Sequence, residues 1–195
     1  VVDEIYTGFG RTGRWFACEH SGVVPDLICL GKALTGGFPL SACVGRADVM
    51  DRAWPVSTGE ATHTSTFLGH PVGCAMALAH IAEIRRRRLP ERSAALGHKL
   101  LAALRELDCS PLGLVAEARG LGLMVGLELR YPDGQPAGDA AMTTVQAMLQ
   151  RGFILLPEGA HGEVIGFTPP LTIRWPELAA TVAALAEVLP AVFRP

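Results

Sequence analysis

The chain has 195 residues, of which 49% are hydrophobic and 18% charged, the balance of a globular core rather than of a disordered segment. Its formal net charge of −2 provides no positive excess for binding nucleic acid. The apolar run at 179–189 is interrupted by Glu187 and is too short and amphipathic for a membrane span, so we expect no membrane partner.

Cysteine usage and the first residues bear on compartment and completeness. The five cysteines form no CxxC pair and no spacing typical of a metal site, so we predict no metal. An odd number within apolar stretches indicates free buried thiols in a reducing compartment, which predicts a cytoplasmic protein. The chain opens on a strand pattern with no initiator methionine and no signal peptide, so we expect a piece of a longer protein. The cysteines are Cys18, Cys29, Cys43, Cys74 and Cys109.

The first third of the chain is predicted to contain short strands joined by glycine-rich loops. Continuous apolar runs at 1–6, 26–30 and 40–44 are typical of strands covered on both faces of an α/β sheet. Residues 7–13 form a glycine-rich stretch between the first two strands. The Ser/Thr/Gly-rich stretch at 53–70 is predicted to be a loop.

Two helices are predicted next. Pro71 suits the first turn of a helix with a small-residue face, which Pro90 is predicted to end, and an amphipathic pattern predicts a second helix at 91–107. The four arginines at 85–88 indicate a solvated last turn that complements the helix dipole. A nucleic-acid patch is the alternative for these arginines, and it lacks aromatic support.

The last part of the chain is predicted to be a small α+β domain. Helices are predicted at 138–150 and 176–189, the second ended by Pro190. Strands are predicted at 121–129, 153–156 and 164–168. We therefore assign the chain to the α/β class. A boundary near residue 110 is predicted to separate residues 1–110, which end in a connecting helix, from the small domain at 111–195.

Two glycine motifs imitate nucleotide sites. The Gly-x-Gly-x-x-Gly sequence at 8–13 follows a strand, but a dinucleotide site needs a helix directly afterwards. Gly22 and Pro25 leave too little chain for that helix. Gly31-Lys32 resembles the end of a phosphate-binding loop, but the glycine five residues earlier and the following Ser or Thr are both missing.

Lys32 and Asp3 are the candidate chemical residues. Lys32 directly follows an apolar strand, and we expect partial burial to favour the neutral amine that attacks carbonyl carbons; a surface lysine is the alternative. Asp3 lies in an apolar strand and needs a cation, either a protonated pyridine nitrogen or an ion pair with Arg11 or Arg14. The separation, 32 − 3 = 29 residues, allows one crossover back to the same sheet edge.

Several motifs follow one another along nearly the whole chain and together resemble the class III aminotransferases, which include the ornithine, acetylornithine and 4-aminobutyrate enzymes. They are Asp3-Glu4-Ile5, the stretch 7–13, Pro25-Asp26, the stretch 31–37, the threonine-containing stretch from His63 to Pro71, the stretch 119–126, and Pro169-Pro170-Leu171-Thr172.

The resemblance implies a fold type I pyridoxal-phosphate-dependent transferase that acts as a homodimer. Residues 1–110 would be the C-terminal part of its cofactor-binding large domain, with a mixed, mostly parallel sheet, and 111–195 its C-terminal small α+β domain. It would transfer an amino group from an amine or amino acid to a keto acid. Lys32 would form the Schiff base with pyridoxal 5′-phosphate and carry the proton between the substrate and C4′ of the cofactor. Asp3 would pair with the pyridine nitrogen. Thr66 would donate its hydroxyl to the cofactor phosphate across the dimer interface.

Departures from the family pattern qualify these expectations. Tyr6 stands where many members have a Gln contacting the cofactor's ring hydroxyl. Gly166 stands where the ornithine and 4-aminobutyrate enzymes carry an Arg that binds the substrate carboxylate, which disfavours α-ketoglutarate and favours pyruvate. An aminomutase, epimerase or decarboxylase of the same family, or a non-catalytic remnant, remains the alternative. Because the family's glycine-rich phosphate loop precedes Asp3, we expect this chain to be inactive alone.

Overall fold

The computed structural model describes residues 1–54, 56, 58–59 and 64–193, so His63 of the threonine motif lies outside the described residues. The chain divides into two compact units, Val1–Pro90 and Glu91–Pro195. The assignment of 1–110 and 111–195 to two domains of the whole protein stays a prediction.

The first unit contains a three-stranded mixed sheet. Its strands are β1 (Val2–Asp3), β2 (Leu27–Leu30) and β3 (Ala42–Gly45), in the order β1-β2-β3. β1 and β2 are parallel, whereas β2 and β3 are antiparallel. Because parallel strands end at the same edge of a sheet, the chain leaves β1 and β2 on one side.

Two helices follow this sheet in the first unit, α1 (Ala47–Ala53) and α2 (Pro71–Arg86). Pro71 begins α2 as predicted. Gly73, Ala77 and Ile84 of α2 are buried and share one face at helical spacing. In the last turn, Glu83 forms exposed ion pairs with the neighbouring arginines, which agrees with a solvated end. α1 has no counterpart among the predicted elements.

The predicted role of Pro90 is wrong. α2 has already ended at Arg86, and Arg88 reverses the chain with a φ of +52°. The next helix, α3 (Leu89–Arg105), takes Pro90 into its first turn. Proline is tolerated there because the first backbone N–H groups of a helix have no acceptor within it.

The second unit is built on a four-stranded antiparallel sheet. Its strands are β4 (Val115–Leu121), β5 (Met124–Arg130), β6 (Leu156–Glu158) and β7 (Val164–Phe167), in the order β4-β5-β7-β6. The strand predicted at 121–129 corresponds to β5 but begins too early, because the chain reverses between Leu121 and Met124, and β4 was not predicted. Gly122 makes the two-residue turn with a φ of +55°. β6 also begins later than predicted.

Helix α3 packs closely against this turn. Gly97 of α3 is buried, and a Cβ atom at that position would lie 1.9 Å from the carbonyl oxygen of Gly122. Ser93, one turn earlier, is fully buried and its Oγ accepts the N–H of Leu123 at 2.9 Å. The backbone of the turn therefore rests directly on the helix.

The remaining helices, α4 (Gly138–Gln150) and α5 (Trp175–Phe193), complete the core of the second unit. α4 has its predicted bounds, but α5 continues through Pro190. At 19 residues and a mean hydropathy of 1.5, α5 is long and apolar enough to cross a membrane by length and composition alone, contrary to our expectation. Leu178, Leu185 and Val188 of α5 lie in the core of the second unit. Their burial explains why the helix continues past Pro190.

Candidate active site

The carboxyl ends of β1 and β2 bring two predicted residues to one sheet edge. Asp3, the last residue of β1, is in register with Cys29 of β2, and Lys32 follows the end of β2 by two residues. The sheet therefore returns Lys32 to the edge where Asp3 lies, as the spacing predicted. A carboxylate and an amine on adjacent parallel strands provide the two charges that our sequence interpretation requires.

The expected burial of these two side chains is wrong, since both are exposed in this chain. β1 is the edge strand and ends at Asp3, whose Oδ1 accepts the N–H of Ile5 at 2.9 Å. Lys32 lies beyond the strand, in a 3-10 turn at Lys32–Leu34. Burial therefore does not explain a neutral amine at Lys32 in this chain. The interpretation of Asp3 and Lys32 as a chemical pair rests on their placement at the ends of adjacent strands.

The backbone of Lys32 has an unusual conformation. Its φ is +22°, a strained region for a residue with a side chain, and such strain often accompanies functional positions. Its Nζ lies 3.8 Å from the centroid of the Tyr6 ring, in cation–π contact. Gly31 makes room for Ile5, since a Cβ there would lie 3.1 Å from Ile5 Cγ2. Tyr6 and Lys32 are thus neighbours.

The segment after Lys32 is fixed by a side chain of α2. His80 Nδ1 lies 2.8 Å from the carbonyl oxygen of Ala33, which can only accept, so Nδ1 carries the proton. The His80 ring also packs on Gly36, whose φ is +71° and whose Cβ would lie 3.1 Å from Nε2. His80 therefore holds the turn that carries Lys32. The sequence contains no signal for it, because the contact spans 47 residues.

Glu4 is a second residue that sequence reasoning missed. Its side chain is fully buried and accepts hydrogen bonds from the hydroxyl of Thr7 and from the N–H groups of Ala17, at 3.0 Å, and Cys18, at 2.8 Å. Burial alone would raise the pKa of Glu4, but these hydrogen bonds outweigh it and lower the pKa. Glu4 thus anchors the loop after β1. An acid in an apolar strand three residues before Thr7 was the available signal.

The glycine-rich stretch 7–13 is a loop, as predicted. Gly10 and Gly13 have φ values of +94° and +90°, and the N–H of Gly13 donates to the carbonyl oxygen of Gly10 at 3.1 Å. The next helical element is the four-residue 3-10 helix Ala17–His20. A dinucleotide site requires a long helix at this point, so the structure agrees with dismissing that motif.

Thr66 and Gly166, the other two positions singled out in the sequence, do not lie on the strands whose ends place Asp3 and Lys32 at one edge. Thr66 is exposed in a turn of the first unit. Gly166 lies in β7 of the second unit, where a Cβ would be 2.7 Å from Glu158 Oε1. The side chain of Glu158 therefore occupies the space beside Gly166.

Replacing Glu4 with glutamine should lower the free energy of unfolding by about 1–3 kcal/mol at neutral pH, because an NH₂ group would face backbone N–H donors. The pKa of Glu4 lies below its ordinary 4.5, so its stabilisation is complete above that pH and is lost as the pH falls through the lowered pKa. The difference between wild type and E4Q should therefore shrink below pH 4.5 in urea titrations. The exposed Glu106→Gln is the control, and an equal loss in both variants would contradict the anchoring role.

Comparison with known proteins identifies the family. The family model "Aminotransferase class-III" matches residues 1–189. This chain belongs to the class III aminotransferases. It is 40% identical over 190 residues to the 5-aminovalerate aminotransferase of Pseudomonas aeruginosa, covering 96% of this chain and 43% of that enzyme. It is 36% identical to the putrescine aminotransferase of Pectobacterium atrosepticum, covering 97% and 39%.

Solved structures agree with this membership and with the fold type I architecture expected from the sequence. A transaminase from the marine bacterium Virgibacillus superposes with a TM-score of 0.86 at 31% identity, covering 97% of this chain and 44% of that structure. The ornithine aminotransferase of Toxoplasma gondii, with pyridoxal phosphate partly occupying its active site, gives 0.83 at 34% identity, covering 98% and 43%. This class III aminotransferase chain spans less than half the length of the relatives it matches.

Proposed function

We propose that the whole protein is a pyridoxal-phosphate-dependent aminotransferase that passes an amino group from an amine or amino acid to a keto acid. The observation that carries this proposal is the placement of Lys32 and Asp3 at one edge, on the ends of adjacent parallel strands. Family membership supports it.

The residues present fit pyridoxal 5′-phosphate. When bound, this cofactor supplies an electron sink for the bond broken at the substrate carbon. Lys32 would tether its aldehyde and then move the proton to and from the substrate carbon. Asp3 is exposed at the edge and would hold the protonated pyridine nitrogen. Tyr6, in contact with Lys32, would lie beside the cofactor ring.

We also propose a homodimeric, cytoplasmic enzyme. The free cysteines support a reducing compartment, and Thr66 supports the dimer. Its hydroxyl is exposed in a turn and therefore available to an anion. As the family resemblance implies, it would donate to the phosphate of the cofactor held by a partner subunit. The site of each subunit would then be complete only in the dimer.

The substrate class follows from the relatives and from Glu158. Relatives include enzymes named for 5-aminovalerate, putrescine and ornithine, which all carry a terminal amine. Glu158 occupies the space beside Gly166, where the resemblance places the contact to a substrate carboxylate. The carboxylate of Glu158 would repel the second carboxylate that α-ketoglutarate carries and pyruvate lacks. We therefore propose terminal amines as donors and pyruvate rather than α-ketoglutarate as acceptor.

The test is a panel of these three donors with pyruvate or α-ketoglutarate, using the whole protein supplied with pyridoxal phosphate. We expect alanine to accumulate with pyruvate and turnover to stop when the keto acid is withheld. An epimerase, mutase or decarboxylase would continue without a keto acid, and that result would reject amino transfer. No turnover of any kind would favour the non-catalytic remnant.

A further inference from the structure

Two cysteines face each other across the sheet of the first unit. Cys29 of β2 is in direct register with Cys43 of β3. Both thiols are free, Cys43 is exposed and Cys29 is half-buried. The expectation of buried thiols is thus wrong for this pair, and among the five cysteines only Cys109 is buried.

The hydrogen-bond pattern shows which kind of cross-strand pair this is. The N–H of Arg46 donates to the carbonyl of Asp26 at 3.0 Å, so these two residues form a hydrogen-bonded pair. Cys29 and Cys43 are the third pair along from it in the register of β2 and β3. Because hydrogen-bonded and non-hydrogen-bonded pairs alternate, Cys29 and Cys43 form a non-hydrogen-bonded pair. In agreement, the carbonyl of Cys29 points to β1, where it accepts the N–H of Glu4 at 2.9 Å.

This geometry suits a disulfide. Opposed Cα atoms of a non-hydrogen-bonded pair lie about 4.5 Å apart, within the range of roughly 4.4–6.8 Å found across disulfides. The side chains of such a pair lie on the same face of the sheet and are closer than in hydrogen-bonded pairs. The pKa of Cys29 is raised by burial, then by the neighbouring Cys43 thiol and the Asp3 carboxylate, which also reflects the contact between the two thiols.

We propose that Cys29 and Cys43 form a reversible dithiol–disulfide couple, a modification site for small-molecule disulfides. The exposed Cys43 attacks one sulfur of the small disulfide, giving a mixed disulfide and releasing one small thiol. Cys29 then attacks Cys43 Sγ and releases the second small thiol. The two protons lost by the cysteines leave on the two thiols, so the protein loses two electrons and the small disulfide gains them.

The resulting cross-link would join β3 to β2 three residues before Lys32, since 32 − 29 = 3. It would restrain the strand that delivers Lys32 to the sheet edge. The inference itself needs only the two strands and stands independently of the proposed function.

The test uses the purified chain, 2-hydroxyethyl disulfide as oxidant, and mass spectrometry after free thiols are alkylated. Trypsin leaves Cys18 and Cys29 in one peptide, so cleavage after Glu19 by a Glu-specific protease is added to separate them. We expect a loss of two hydrogens and one cross-linked peptide pair containing Cys29 and Cys43. Dithiothreitol should reverse both changes.

Matched variants make the result decisive. The Cys43→Ser variant should lose the cross-link and retain a mixed disulfide on other thiols, whereas the exposed Cys74→Ser should form the cross-link as wild type does. Circular dichroism of each variant checks that the fold is retained. Mixed disulfides on both Cys29 and Cys43 with no cross-link between them, or a cross-link that persists in C43S, would overturn the proposal.

Discussion

Replacing Lys32 with alanine in the whole protein should reduce amino transfer by on the order of 10³-fold or more. A positioned proton-transfer group alone contributes about 10²–10⁴-fold, and this lysine would also tether the cofactor aldehyde. The loss should appear in kcat for every donor tested. Cofactor absorbance measured after desalting should show weaker retention than in wild type.

The chain offers a matched control for this prediction, because its two lysines are Lys32 and Lys99. Lys99 lies in the second unit, with its Nζ 5.8 Å from the centroid of the Trp175 ring. Borohydride reduction of the cofactor-loaded protein should label Lys32 and leave Lys99 unlabelled, and Lys99→Ala should retain activity. Unchanged activity in K32A, or a label on Lys99, would remove the basis of the proposed site.

Replacing Gly97 with alanine should destabilise the chain by about 3 kcal/mol or more. Helix propensity alone predicts the opposite, since alanine is favoured over glycine by about 1 kcal/mol in a helix interior. The new methyl would lie 1.9 Å from the Gly122 carbonyl oxygen, and backbone cannot rotate away as a side chain can. α3 and the turn between β4 and β5 must separate, and overpacking of this kind is costly.

The control for Gly97 is Ala95→Gly on the exposed side of the same helix, which should cost about 1 kcal/mol through propensity alone. Urea unfolding followed by circular dichroism gives both values. A stabilised G97A variant would show that the close approach of Gly97 and Gly122 is absent in solution.

Much of the fold was predictable where periodicity is strong. α2 begins at Pro71, as the proline signal predicted, although it ends at Arg86 and not at Pro90. Both predicted bounds of α4 agree with the structure. The turn at Gly122 was missed because the alternation of glycines and apolar residues at 121–129 gives no sign of a reversal, and β4, which carries Glu117 and Arg119, was not predicted. Pro190 failed as an end signal because burial of the residues before it outweighs local preference.

The site was predictable in position but not in environment. The spacing of Asp3 and Lys32 allowed both to lie at one sheet edge, and the parallel pairing of β1 and β2 places them there. Their exposure depends on what packs over that edge, which is a property of tertiary structure. The same reason applies to His80, whose contact with Ala33 depends on how α2 lies against the turn.

The uneven distribution of buried side chains has a consequence for motion. The large apolar cluster of the described chain lies within the second unit, whereas the first unit rests on short strands and few buried hydrophobic residues, among them Leu30, Leu34 and Ile84. Segments with sparse apolar contacts open at lower free energy than the core. Amide hydrogens around Lys32 should therefore exchange with solvent well before those of β5 and β7, because the turn that carries the amine should open at a lower free energy than the core of the second unit.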